Sequence, residues 1–208
     1  MAAKKSVSLH PSKPEKAAAA PLATSDRVSV THGAYLVVAG RRGDSCAAVG
    51  YLGNRRIEAR TADTVEAAVD AVKGALDDRV SGLKAGRSSE VPSEAEFREA
   101  LVALHAKLPK RMQAMLATHC RLPGSAASLT DLARRFEVSV NTAKIDYGKL
   151  ARQLAKLLDF APAEATVERG LLPLLTVATL SFSEGKPAVL HLRPELVGAL
   201  RTLQQIEA

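Results

Sequence analysis

The sequence predicts an α+β protein in which a small β-β-β-α unit precedes a mainly helical domain. Three observations predict it. Short β-favouring runs at Tyr35–Ala39, Ala47–Leu52 and Arg55–Arg60 are separated by glycine-bearing turns. A stripe of apolar residues at helical spacing follows from Asp63. Beyond residue 91 the apolar positions recur almost throughout at helical intervals, each stretch opened by a capping residue.

Residues 1–31 are rich in Ala, Lys, Ser and Pro with no apolar period. They read as a disordered basic arm, because nothing in them offsets the entropy of ordering. Such an arm is either a solubilising leader or a strand of charge that follows a polyanion. Residues 32–90 read as the β-β-β-α unit with its linker. Gly40-Arg41-Arg42-Gly43-Asp44 separates the first two runs, and Gly53-Asn54 has the form of a tight hairpin turn. Asp63 with Glu66 forms a capping box, and Val65, Val69, Val72, Leu76, Val80 and Leu83 supply the stripe that covers the meander. Lys84–Val91 reads as the linker.

Residues 91–208 form the second domain. Ser93 with Glu96 opens a helix carrying Phe97, Leu101, Leu104 and Leu108, and Pro109 separates it from a shorter helix with Met112, Met115 and Leu116. After a loop at Arg121–Ser125, Ser128 and Asp131 start a short helix with Leu129, Leu132, Ala133 and Phe136 on one face. Glu137-Val138 makes a tight turn, and Ser139 caps a longer helix whose inward stripe is Val140, Ala143, Tyr147, Leu150, Leu154, Leu157 and Leu158. A short helix with a small alanine, a turn with an apolar corner and a capped second helix together make a helix-turn-helix. Leu174–Phe182 and Ala188–Leu192 read as two strands joined by Ser183–Pro187, a wing whose tip is nearly neutral because Lys186 stands beside Glu184. Pro194 then starts a terminal helix with Leu196, Leu200 and Leu203. The second domain is therefore a winged helix-turn-helix.

Charge gives this domain a direction. The 208 residues carry a net charge of +7, and residues 105–153 hold nine basic against three acidic side chains. An inward leucine stripe leaves Asn141, Thr142, Ile145, Lys149 and Arg152 outward, with Lys144 on the flank. Asn141 suits an adenine edge, Thr142 and Ile145 a thymine methyl, and Lys144 a base edge or a phosphate. Ser139, Lys149, Arg152, Arg134, Arg135, Lys110, Arg111 and Arg121 are the expected phosphate contacts. Gly148 inside a helix points to close backbone approach, by a neighbouring helix or by DNA. Arg41, Arg42, Arg55, Arg56 and Arg60 on the β-β-β-α unit are a candidate second DNA surface; the alternative for that unit is dimerisation or partner docking.

The run Ser128–Ser139 resembles the generic helix-turn-helix pattern in which Thr-x-x-x-Leu-Ala precedes the turn and Val-Ser begins the recognition helix. It departs from that pattern at Glu137, where such turns usually carry glycine. With Asn141, Tyr147-Gly148-Lys149-Leu150 and Arg193-Pro194-Glu195-Leu196, residues 93–203 are similar to a winged-helix-like module of uncharacterised bacterial and phage DNA-associated proteins, some of which join it to nuclease domains. The resemblance implies DNA association.

Other classes find little support. Only seven residues are aromatic, too few for a base-stacking platform on single strands. The longest apolar stretch, Leu171–Leu180, falls short of the roughly 20 residues of a membrane span. Cys46 and Cys120 read as reduced thiols of a cytoplasmic protein, in the absence of a secretory signal. There is no phosphate-cradling glycine loop, dinucleotide fingerprint or His-Glu-x-x-His pair, and His105, His119 and Cys120 lack zinc-ligand spacing. The expectation is a non-enzymatic, cofactor-free protein that binds double-stranded DNA as a regulator or targeting component, as a homodimer or with a protein partner. The alternative is an adaptor subunit of a phage, mobile-element or defence complex.

Overall fold

The computed structural model describes residues 27–87, 89–162 and 171–207. Its first unit is an antiparallel meander in the order β1 (Val28–His32), β2 (Tyr35–Arg42), β3 (Ser45–Leu52) and β4 (Arg55–Ala62), with α1 (Val65–Ala85) across one face. The sheet therefore has four strands where three were expected, because residues 28–31, placed in the arm, join His32 in a strand that pairs with Tyr35–Ala39 of β2. The arm expectation for residues 1–26 lies outside the described residues. Each hairpin turns on two residues, the first a glycine at positive φ (Gly33 58°, Gly43 62°, Gly53 57°), a conformation that side chains with a Cβ resist.

Val37, Ala39 and Ala48 of the sheet bury against Val69, Val72 and Leu76 of α1. Gly50 sets the separation: a Cβ there would lie 3.1 Å from Leu76 Cδ1 and 3.2 Å from Val72 Cγ1. The cap of α1 is Thr64 and not Asp63, since the extended Thr64 presents its hydroxyl to the Ala67 N–H at 3.1 Å. The helix also runs on to Ala85, so the linker starts at Gly86.

The second unit contains α2 (Glu94–His105), α3 (Lys110–Arg121), β5 (Ala126–Ser128), α4 (Leu129–Arg135), α5 (Val140–Leu158), β6 (Ala178–Ser181), β7 (Val189–Leu192) and α6 (Pro194–Glu207). The capping box of α2 is complete, with Ser93 and Glu96 each accepting the other's backbone N–H. A second sheet has the order β5-β7-β6, so a short strand before α4 pairs with the hairpin after α5. The strand expected over Leu174–Phe182 is shorter. Leu172–Thr176 forms a 3-10 turn with Pro173 in its first turn, and only Ala178–Ser181 is extended. An apolar run of this length suits a buried turn as well as a strand, and proline decides for the turn. Arg193 holds that turn: its guanidinium donates twice to the Leu175 carbonyl (3.0 and 2.8 Å) and lies over the Phe160 ring.

The two units are tied by polar contacts that range from buried to exposed. Arg87, in the linker, donates to the Glu96 carboxylate and to the Leu158 carbonyl at the end of α5. Glu96 is only 6% exposed, and the Arg87 guanidinium with the Ser93 hydrogen bonds holds its carboxyl below the usual range despite burial. Tyr35 Oη donates to Glu99 at 2.5 Å, and Arg79 of α1 pairs with the same carboxylate. Burial beside that carboxylate pushes the Tyr35 phenol well up. Lys84 reaches Asp159 at 3.0 Å.

Candidate nucleic-acid interface

The site is built from α4, the turn after it and α5. Ser128 caps α4, its hydroxyl accepting the Asp131 N–H at 3.0 Å. At the other end the chain closes a Schellman motif: the Val138 N–H donates to the Ala133 carbonyl (3.0 Å) and the Glu137 N–H to the Arg134 carbonyl (3.4 Å). That motif requires a left-handed residue, and Glu137 occupies it at φ 52°. The turn thus keeps the geometry a glycine would give, although its residue departs from the pattern. Val138, expected to be buried in the corner of the turn, is half-buried against the core.

Ser139 caps α5, its hydroxyl accepting the Thr142 N–H at 3.0 Å. The inward stripe is buried at Ala143, Tyr147, Leu150, Leu154 and Leu158, with Leu157 half-buried. Val140 is the exception, 46% exposed where burial was expected. Tyr147 is completely buried and its hydroxyl needs a partner. His119 supplies it, with Nδ1 2.9 Å from Tyr147 Oη and Nε2 3.1 Å from the Leu190 carbonyl. A carbonyl can only accept, so Nε2 carries the proton and Nδ1 accepts from the phenol. One neutral imidazole thereby joins α3, α5 and β7, and burial holds its pKa below the usual value. Burial also pushes the Tyr147 phenol strongly up.

The opposite side of α5 is open. Asn141, Lys149 and Arg152 are exposed, Ile145 is 43% exposed, and Thr142 and Lys144 are half-buried. Asn141, Thr142, Ile145, Lys149 and Arg152 lie on the side of the helix away from the leucine stripe, and Lys144 stands on its flank. The hydroxyls of Ser139 and Thr142 are 2.8 Å apart and share one hydrogen bond. Gly148 is approached by no neighbouring helix. The nearest atom to a Cβ there would be Arg152 Nη1 at 3.4 Å, since this side chain folds back along its own helix.

The outlying cations divide. Arg134 and Arg135 end α4 and are exposed, Arg134 loosely paired with Asp131 at 3.5 Å. Arg111 is ion-paired with Asp146 of α5 at 2.7 Å, so its charge is partly spent within the fold. Lys110 and Arg121 line a groove shared by α2, α3 and α6, away from the α5 stripe, and Arg55 lines it too. The five arginines of the first unit do not form one surface. Arg41 and Arg42 end β2, whereas Arg55 and Arg56 start β4 at the other end of the sheet, roughly 20–25 Å away at strand rise. Arg60 pairs with Glu58. Sequence reasoning missed that Arg55 lines one groove with Lys110 and Arg121, which two separate stretches of chain, the start of β4 and α3, bring to it. The available signal was the second face of α3, where Lys110, Gln113, Ala114, Ala117 and Arg121 repeat at helical spacing opposite its methionines.

The hairpin between β6 and β7 presents Phe182 at 61% exposure, with Glu184 and Lys186 exposed at its tip. Among the described residues no group of three or more His, Cys, Asp or Glu is placed to hold a metal ion, and no helix is long and apolar enough to cross a membrane. No protein-family model matches the chain, and neither a curated protein nor a solved structure is significantly similar to it.

Proposed function

We propose that α3 through β7 is a winged helix-turn-helix module that binds duplex DNA by laying α5 in the major groove. The observation that carries this reading is the two-sidedness of α5. One stripe is buried in the core, and the opposite one offers Asn141, Ile145, Lys149 and Arg152 to solvent with no acidic residue among them. The element succession supports it as well: helix, short strand, two helices joined by a tight turn, then a hairpin whose second strand pairs with the short strand.

In this reading Asn141 donates to and accepts from an adenine edge, and Ile145 packs against a thymine methyl. Lys144, Lys149 and Arg152 neutralise phosphates, with Arg134 and Arg135 extending the track from the end of α4. One short helix reads few base pairs, so a two-fold pair of chains reading two half-sites completes the account. Selection from a randomised duplex pool tests it. The wild type enriches a motif with adenine at one or more fixed positions, and Asn141→Ala loses that position while keeping affinity for the pool. Failure of the wild type to retain duplex DNA at low salt overturns the reading.

A second reading, a protein-docking adaptor, draws on the first unit. Leu36 (44% exposed) and Tyr51 pair across strands on the sheet face turned away from α1. An apolar pair on an open face suits a partner surface better than a phosphate track. Recovery of a stable complex from the native host, with no retention on duplex DNA, is the result this reading expects.

A further inference from the structure

We infer that the groove enclosed by the β3–β4 turn, α2, α3 and α6 is a binding site for a small amphipathic carboxylate, an alkyl or aryl acid of about ten carbons. The groove measures about 670 Å³, within the roughly 300–1,000 Å³ usual for small-molecule sites. Its floor is apolar, made by Leu101 and Leu108 from α2 and the segment after it, Leu116 from α3, and Leu200 and Leu203 from α6. Its charged lining is of one sign. Arg55, Lys110 and Arg121 face it, and among the described residues that line it there is no Asp or Glu.

Gln113, a polar residue of the lining, is already committed. The Gln113 amide nitrogen donates to the carbonyls of His105 and Leu108, both at 2.9 Å, and so closes the corner between α2 and α3. By contrast, the head groups of Arg55 and Lys110 form no ion pair among the described residues. Lys110 and Arg121 are the first and last residues of α3, about 16 Å apart along its axis. Arg55 and Lys110 therefore offer cationic head groups beside an apolar trough. A ligand that fits this pattern buries a hydrocarbon body on the leucines and presents an anion to a guanidinium or ammonium. A nucleic-acid backbone has the charge without the body, and a cationic amphiphile has the body with the wrong charge.

The groove is also built jointly by both units. Gly53, at the tip of the β3–β4 turn, sits so close to α2 that a Cβ would lie 3.1 Å from the Val102 carbonyl oxygen. That approach seats Arg55 over the helices, and no isolated unit would present all three cations.

The test uses decanoate on the full chain, followed by calorimetry and by amide chemical-shift changes, with decanol and decyltrimethylammonium as neutral and cationic controls. The expected result is saturable one-to-one binding of decanoate, at least tenfold tighter than decanol, with no binding of the cation. Octanoate and hexanoate weaken by two- to fourfold per methylene removed, the range for partial to full burial of each group. Ala117→Trp, which fills the groove, abolishes binding. Arg55→Gln with Lys110→Gln, which leaves the core untouched and guards against a misfolded tryptophan variant, brings decanoate to the level of decanol. Equal affinity for decanoate and decanol, undiminished binding in a folded Ala117→Trp chain, or no binding of decanoate overturns the inference. So does capture of an acidic amphipathic peptide by a groove that ignores decanoate. No readout involves DNA, so the result stands apart from the proposed role of α5.

Discussion

Replacing Glu137 by glycine tests the turn that joins α4 to α5. Glu137 holds φ 52° as the left-handed residue of the Schellman motif that ends α4. A residue with a Cβ in that conformation costs about 1–2 kcal/mol. The carboxylate also stands at a helix C-terminus, where the backbone dipole disfavours negative charge by roughly 0.3–1 kcal/mol. Against these gains, glycine brings extra unfolded-chain freedom of about 0.5–1 kcal/mol. Glu137→Gly is therefore expected to stabilise the chain by about 1 kcal/mol, with a Tm rise of roughly 2–4 °C for a chain of this size. Urea unfolding at pH 7 measures it, with Glu137→Ala as the control that removes the charge and keeps the strain. A glycine variant no more stable than the alanine variant, or less stable than wild type, refutes the reasoning. Removing a negative charge beside the α5 stripe also predicts that duplex affinity does not fall.

Acidification unlocks His119. Its folded pKa lies below the usual 6.5 because it is buried between Tyr147 and Leu190, so at low pH the unfolded chain binds the proton more readily. The contribution of His119 to stability is complete above about pH 6.5 and is lost as pH falls through its folded value. Urea midpoints should therefore drop between pH 7.5 and 5, and His119→Gln should flatten that drop. Gly148→Ala adds a methyl that meets only the movable Arg152 head group; it should gain up to about 1 kcal/mol of helix stability in thermal unfolding while weakening duplex binding, if DNA is what approaches the glycine. Arg87→Ala strands the buried Glu96 carboxylate on its Ser93 hydrogen bonds and should cost roughly 3 kcal/mol in urea unfolding; Arg87→Ala combined with Glu96→Gln should recover part of that loss.

How much of this was written in the chain depends on the length of the pattern. α5 was legible because its leucines, tyrosine and alanines repeat over five turns and Ser139 marks its start. The meander was legible in its inner strands, where Tyr35–Ala39 and Ala47–Leu52 are β-favouring throughout. β1 escaped although β4, the other edge strand and equally without a buried residue, was expected: Gly53-Asn54 announces β4, whereas Val28 and Val30 follow directly on the arm with too little apolar signal to stand out from it. The run after Leu171 misled because length and hydrophobicity do not separate a strand from a buried 3-10 turn. β5, three residues long, exists only because β7 passes beside it. Tertiary facts were out of reach for the same reason. The His119–Tyr147–Leu190 contact, the reach of Arg87 to the Leu158 carbonyl and the groove each draw on residues far apart in the chain, and no local spacing encodes them.

The most direct test of the account is a salt titration of duplex binding, wild type against the Lys149→Ala, Arg152→Ala double variant. Each phosphate contact removed should reduce the slope of log K against log salt concentration by about 0.9. The account predicts weaker binding to every sequence and a slope shallower by close to 1.8, the sum over two contacts. Coincident titration curves for the two proteins would contradict it.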